Sequence, residues 1–219
     1  MKERRMSGWD DLRRTLQTIG DSVSHDVAAY LIGGCAMILY NAKLATKDID
    51  LVVLSAQDAD AVVEALSRNG FKKARPEEDA YSRLGAADFM EDDKGMRVDL
   101  FLETVCRKLR VSGGMVARAK PYATLGKLEV SLVAPEDIFL FKSMTERAGD
   151  LDDMALLAER GLDWQTILDE CRNQSGDVIL ESFLAVRLQE LEEEKGIVSP
   201  IRADLEAITE EKLSAKNRR

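Results

Sequence analysis

The segment Ile49 to Leu54, "IDLVVL", constrains the fold more than any other part of the chain. It is apolar and β-branched, and a run of that kind settles as a central strand. Yet Asp48 stands at its mouth and Asp50 inside it. Residues i and i+2 of a strand point the same way, so both carboxylates project from one face. Two like charges there repel each other and resist burial, so something must neutralise them. Hard oxygen ligands at this spacing suit Mg²⁺ or Mn²⁺, ions that keep several waters and bridge to substrate phosphates.

Two other segments supply what such a site needs. In "AADFMEDDKGMRVDLFL" two apolar segments flank the polar turn "EDDKG", a hairpin pattern, and the second strand carries Asp99. Upstream, "AAYLI" (Ala28 to Ile32) reads as a buried strand and "CAMILYN" as a helix, with Gly33-Gly34 on the turn between them. Bare backbone N–H groups there can approach a phosphate, and the helix dipole favours anions. These are the parts of a phosphoryl-transfer site in which a carboxylate helps deprotonate the attacking hydroxyl. His25 is the one histidine, which argues against histidine triads, H-E-x-x-H zinc sites and histidine relays. Cys35, Cys106 and Cys171 are odd in number and far apart, so reduced, buried thiols are expected rather than a disulfide framework or zinc site.

The remaining pattern divides the chain. Trp9, Leu12, Leu16 and Ile19 repeat at helical spacing, with Ser7 as cap and Gly20 as the closing residue. Ser55 caps a helix with Asp58 three residues on, and Asn69-Gly70 ends it. A strand is expected over Phe71 to Arg75, a weak pattern over Thr104 to Leu128, and a strand in "KLEVSLV". Beyond Ala134 the period becomes helical: "PEDIFLFKSMTERAG", "DLDDMALLAERG", "WQTILDECRN" capped by Asp163, and Asp177 to Lys195 with a leucine stripe at 180, 184, 188 and 191. The tail after Pro200 reads as helical or frayed. The expected organisation is an α/β half, 1–134, and a helical region, 135–219.

With 219 residues, 45% of them hydrophobic, the chain can bury a sizeable core. Its net charge of −9 makes it a poor non-specific binder of nucleic acid or anionic membrane, so any polyanion must meet a local basic surface. Arg107, Lys108, Arg110, Arg118, Lys120 and Lys127 form such a block without an intervening acid, a landing strip for RNA phosphates or a nucleoside triphosphate. Met1 to Tyr30 lacks a secretory pattern, and the longest apolar stretch, Ala28 to Tyr40, contains two glycines and is too short for a bilayer. A soluble, cytoplasmic chain with no membrane partner is expected.

The ordered set "GG", "TKDIDLVV" and "RVDLF" resembles the nucleotidyltransferase fold of the DNA polymerase β superfamily. More narrowly, "APEDIFLFK", "ER" and "DLDDMALL" resemble bacterial and archaeal nucleotidyltransferase-like proteins related to the AbiEii toxin. The resemblance implies an α/β (α+β) fold, a mixed sheet flanked by helices and followed by a helical region. It implies metal-dependent transfer of a nucleoside monophosphate from an NTP, with Mg²⁺ or Mn²⁺ as cofactor. Asp48 and Asp50 would be metal ligands, and Asp99 a third ligand and base. Gly33 and Gly34 would hold phosphates, and Lys142 and Arg147 would contact phosphate or base. Asp150 and Asp153 would lie near the site and orient Lys142 or a substrate group. The acceptor stays open among an RNA end, a protein side chain and a small molecule. A toxin–antitoxin role, with a partner protein or second copy docking on the C-terminal helices, belongs to the same expectation. Relatives often carry Arg where this chain has Leu44, and Ser where it has Gly34. Lys43 and Lys47 can stand in, but only as point charges without the guanidinium fork. These departures support an alternative: a catalytically weak or inactive nucleotide-binding or regulatory protein on the same scaffold.

Overall fold

The computed structural model describes residues 6–74, 85–145, 147, 149–176 and 179–216. The chain divides into two compact units, Met1–Ala134 and Pro135–Arg219.

In the first unit, α1 (Trp9–Ser22) buries Leu12, Leu16 and Ile19 completely, the face set by their spacing. Ser7 does not cap it. Its backbone instead pairs with Thr46 in both directions, at 2.8 and 3.1 Å, and Gly8 takes the cap position. Gly20 does not close the helix either. A Cβ at that position would fall 1.6 Å from the Leu125 carbonyl oxygen, so glycine is required by a strand turn passing against the helix.

β1 (Val27–Leu31) leads directly into α2 (Gly33–Leu39), so the glycine pair forms the first residues of the helix rather than a separate turn. β2 (Asp48–Val53) is buried at every position. α3 (Ala56–Arg68) starts at Ser55, whose hydroxyl accepts from the Asp58 N–H at 3.0 Å. His25 Nε2 lies 2.9 Å from the Asp58 carboxylate and ties the start of β1 to this helix.

β3 (Lys72–Lys73) is what remains of the strand expected to reach Arg75, which lies outside the described residues. β4 (Asp88–Glu91) and β5 (Arg97–Leu102) form the expected hairpin. The patternless stretch resolves into short pieces: β6 (Thr104–Val105), β7 (Leu109–Arg110), α4 (Gly113–Arg118) and β8 (Lys120–Leu125), before β9 (Leu128–Leu132).

Seven strands make one mixed sheet in the order β3-β4-β5-β2-β1-β9-β8, with β6 and β7 apart as a two-stranded ribbon. β2 runs parallel to β5, and β1 parallel to β9, while β1 and β2 are antiparallel. These directions bring the starts of β2, β5 and β8 to the same end of the sheet as the finish of β1 and β9. That end holds Gly33, Asp48 and Asp50.

The second unit is helical: α5 (Pro135–Ser143), α6 (Asp150–Ala158), α7 (Trp164–Gln174), α8 (Ile179–Lys195) and α9 (Arg202–Lys216). The helix expected over "PEDIFLFKSMTERAG" ends at Ser143, and Glu146 and Ala148 lie outside the described residues. Asp177, the expected start of α8, lies outside them too. Asp163 caps α7 through Gln165 and Thr166 N–H groups, and Trp164 meets Phe139 edge to face at 5.3 Å. Leu180, Leu184, Leu188 and Leu191 are all buried, as the stripe requires. The three cysteines are buried and none is in a disulfide. Among the described residues, no helix is long and apolar enough to cross a membrane.

Candidate active site

The period of β2 puts Asp48 and Asp50 on one face, and the parallel register with β5 sets Arg97 beside Asp48 and Asp99 beside Asp50. All four side chains therefore share one face and are buried. Three carboxylates and one guanidinium leave a formal charge of −2 if all are ionised, matched by one divalent cation.

Asp99 is fully buried, and Arg97 holds both of its oxygens, Nη2 donating to Oδ2 at 2.8 Å and Nε donating to Oδ1. The guanidinium carbon lies 4.6 Å above the centre of the Phe89 ring, which fixes its other side. Burial, then the charge of Asp50, then that of Asp48 push the Asp99 pKa up to about 8 against the pull of Arg97. As the side chains stand, no three carboxylate, thiol or imidazole groups among the described residues are arranged to enclose a metal. The chemistry of the donors still fits a divalent cation. Asp48 and Asp50 are hard, same-face oxygen donors in a face with excess negative charge, whereas Asp99 is turned onto Arg97.

Arg97 is the residue the sequence reading missed. The same-face rule that pairs Asp48 with Asp50 also pairs Arg97 with Asp99 within "RVDLF", so the signal was present two residues upstream.

The glycines are set by these neighbours. Gly33 has φ +58°, and a Cβ on it would lie 2.2 Å from Asp50 Oδ2. A Cβ on Gly34 would lie 2.4 Å from Thr46 Oγ1. The second position cannot carry Ser here unless Thr46 moves. Backbone closes the corner as well, since the Ile32 N–H donates to the Asp50 carbonyl at 3.1 Å. Cys35 follows the pair, fully buried, with its thiol pKa raised by burial and then by Asp50.

Lys43, Leu44 and Lys47 all lie between α2 and β2. Leu44 is 94% exposed, so an apolar side chain stands in solvent. Lys47 is exposed and Lys43 half-buried.

Lys142, Arg147, Asp150 and Asp153 meet in the second unit. Lys142 is buried, with Nζ 2.8 Å from both Asp150 Oδ1 and Asp153 Oδ2. Asp150 and Asp153 thus hold the Lys142 ammonium between them, the pairing expected of these two aspartates. Asp150 Oδ2 also accepts from the Thr145 hydroxyl and from the Arg147 backbone N–H at 3.1 Å and Nε at 3.2 Å. Burial raises the Asp150 pKa, but Lys142, Arg147 and the hydrogen bonds from Lys142 and Thr145 outweigh it and bring it down to about 2. For Lys142, burial lowers the pKa and Arg147 adds to that, while Asp150 and Asp153 prevail and raise it.

The basic block does not form one strip. Arg107, Lys108 and Arg110 follow the finish of β5, and Lys127 sits at the turn before β9, all at the sheet end opposite Asp48. Arg110 pairs with Glu103 at 2.9 Å, and Lys127 donates to the Ser24 carbonyl at 3.0 Å. Lys120 begins β8 at the Asp48 end, with Arg118 two residues before it. Proximity in sequence had suggested a surface that the strand directions divide.

Comparison with curated proteins found no match. A family model described as "Nucleotidyl transferase of unknown function (DUF2204)" matches residues 10–199, a span holding the glycine pair, Asp48, Asp50 and Asp99 and the lysine cluster, and the chain belongs to that family.

Proposed function

We propose that the chain is a divalent-metal-dependent nucleotidyltransferase that moves a nucleoside monophosphate from an NTP to an acceptor hydroxyl. The observation that carries this reading is the shared face of Asp48, Asp50 and Asp99, closed at one corner by Gly33 against Asp50. Asp48 and Asp50 would hold the ion, which when bound would neutralise phosphate charge and orient the triphosphate. The bare backbone at Gly33 and Gly34 would leave room for phosphates beside Asp50, with Lys47 and Lys43 as point charges on the adjoining loop. Asp99 would accept the acceptor's hydroxyl proton. The new bond joins that oxygen to the α-phosphorus, the bond from the α-phosphorus to its bridging oxygen breaks, and pyrophosphate leaves. The likeness to AbiEii-related proteins adds a toxin–antitoxin role to this reading, resting on the helix that starts at Pro135 and the acidic start of α6.

The test is transfer of label from an α-labelled NTP with Mg²⁺ or Mn²⁺. The doubly substituted Asp48→Asn/Asp50→Asn chain is expected to lose at least about a hundredfold in rate, the scale of removing an electrostatic clamp on a transferring phosphoryl group. Undiminished transfer by that variant would remove the carboxylates from the mechanism.

A second reading has its own observation. Arg97 already occupies both oxygens of Asp99, and Leu44 stands exposed where a guanidinium would grip phosphate. A nucleotide-binding regulator would keep the fold and bind NTP without turning it over. Calorimetric NTP binding with no label transfer selects this reading.

A further inference from the structure

Thr46 stands two residues before Asp48 and reaches the same glycine pair that Asp50 reaches. A Cβ on Gly33 would meet Asp50 Oδ2 at 2.2 Å, and a Cβ on Gly34 would meet Thr46 Oγ1 at 2.4 Å and Thr46 Cβ at 3.0 Å. A carboxylate and a hydroxyl therefore stand over consecutive residues, whose Cα atoms are about 3.8 Å apart.

The backbone holds Thr46 in place. Its N–H donates to the Ser7 carbonyl at 3.1 Å, and its carbonyl accepts from the Ser7 N–H at 2.8 Å. The residue is 9% exposed, yet its hydroxyl makes no hydrogen bond with any described residue. A hydroxyl so nearly buried ordinarily has a partner. Valine has the same outline and would fill the gap over Gly34 without a polar atom to satisfy. Packing alone therefore does not account for threonine here.

We propose that the Thr46 hydroxyl donates a hydrogen bond to the β- and γ-phosphates of the bound NTP, the part that departs as pyrophosphate. The inference rests on the nucleotidyltransferase reading and deepens it at the same site. In that reading the ion over Asp48 and Asp50 takes the α-phosphate. The outer phosphates extend beyond the ion, and Thr46 is the side-chain donor that stands against the bare backbone of the glycine pair. Lys43 and Lys47, on the same loop, supply charge without a fixed direction, and the hydroxyl supplies direction. A side chain already fixed through its own backbone loses little freedom when it meets the ligand.

The experiment is calorimetry of the full chain with Mn²⁺ and a non-hydrolysable NTP, with the matching NMP in parallel. Thr46→Val is expected to weaken NTP binding about tenfold, the scale of one hydrogen bond to a charged oxygen, and to leave NMP binding unchanged. Thr46→Ser keeps the hydroxyl and is expected to bind NTP as wild type does. Thr46→Ala is expected to lose as much as Thr46→Val. Gly34→Ser added to Thr46→Ala returns a hydroxyl to the same gap from its other side and is expected to regain most of the loss. Gly34→Ser alone is expected to weaken binding, because its Cβ displaces the Thr46 hydroxyl. Thr46→Val that binds NTP as tightly as wild type, or that loses NTP and NMP alike, overturns the assignment and leaves the transferase reading standing. NTP affinity that follows the hydroxyl, with no label transfer to any acceptor, supports the assignment and selects the regulator over the transferase. Wild type that binds no NTP overturns both.

Discussion

Arg97 and Asp99 form a buried ion pair made by residues two apart on one strand, with both carboxylate oxygens engaged. Such a pair adds little net stability against an apolar replacement, but removing Arg97 leaves the Asp99 carboxyl, neutral at pH 7 because its pKa is already raised to about 8, buried without its hydrogen-bond donors. Arg97→Met is therefore expected to lower unfolding stability by about 1–3 kcal/mol, and Arg97→Met with Asp99→Leu to recover most of it. Urea denaturation of both variants checks this. A single Arg97→Met that unfolds like wild type would mean the pair is solvated and the acidic face is not closed. The period-2 rule made the shared face of Asp48 and Asp50 legible in the sequence. It could not show that Asp99 stands beside Asp50 rather than one strand removed, because the parallel register joins segments separated by the whole of α3 and the β4 hairpin. The glycines show the same limit. Their pairing was visible, but the reason Gly34 is not Ser lies in Thr46, twelve positions on.

At the level of elements, sequence periodicity served long pieces and failed short ones. α1, α3 and β2 carry enough repeats to be read. β6 and β7 have two residues each, α4 has six, and β8 is bulged and mostly exposed, so the pattern over 104–128 is weak. The Trp9–Tyr122 contact was likewise invisible, since it depends on where α1 meets a bulged edge. In the second unit the joint between α5 and α6 is made by Lys142, Asp150 and Asp153. Asp150 has its pKa lowered from 3.8 to about 2, so its contribution is fully present above pH 3.8 and is lost as pH falls through 2. That contribution is about 2 kcal/mol. Stability of this unit, followed by Trp164 fluorescence in a Trp9→Phe background, is expected to fall between pH 4 and pH 2. Asp150→Asn is expected to be less stable at pH 7 and to show a flatter profile in that window. A variant as steep as wild type would assign the acid sensitivity to another carboxylate.

For the whole molecule, the division at Ala134 and Pro135 falls where the hydrophobic period changes from strand to helix, a shift visible because each half sustains its own pattern. Composition was informative in a different way. A net charge of −9 said that any polyanion would need a local surface, and the strand directions then separated Lys120 from Arg107, Lys108 and Arg110. The chain belongs to a nucleotidyl transferase family, and the central claim we propose is that the β2–β5 face would hold a divalent cation and a triphosphate. The direct measurement is a crystal of the protein with Mn²⁺ and a non-hydrolysable NTP, examined for anomalous scattering. The account predicts an anomalous peak within coordination distance of Asp48 and Asp50, with the α-phosphate on the same ion. Mn²⁺ and nucleotide bound elsewhere, or that face empty while nucleotide is bound, would contradict it.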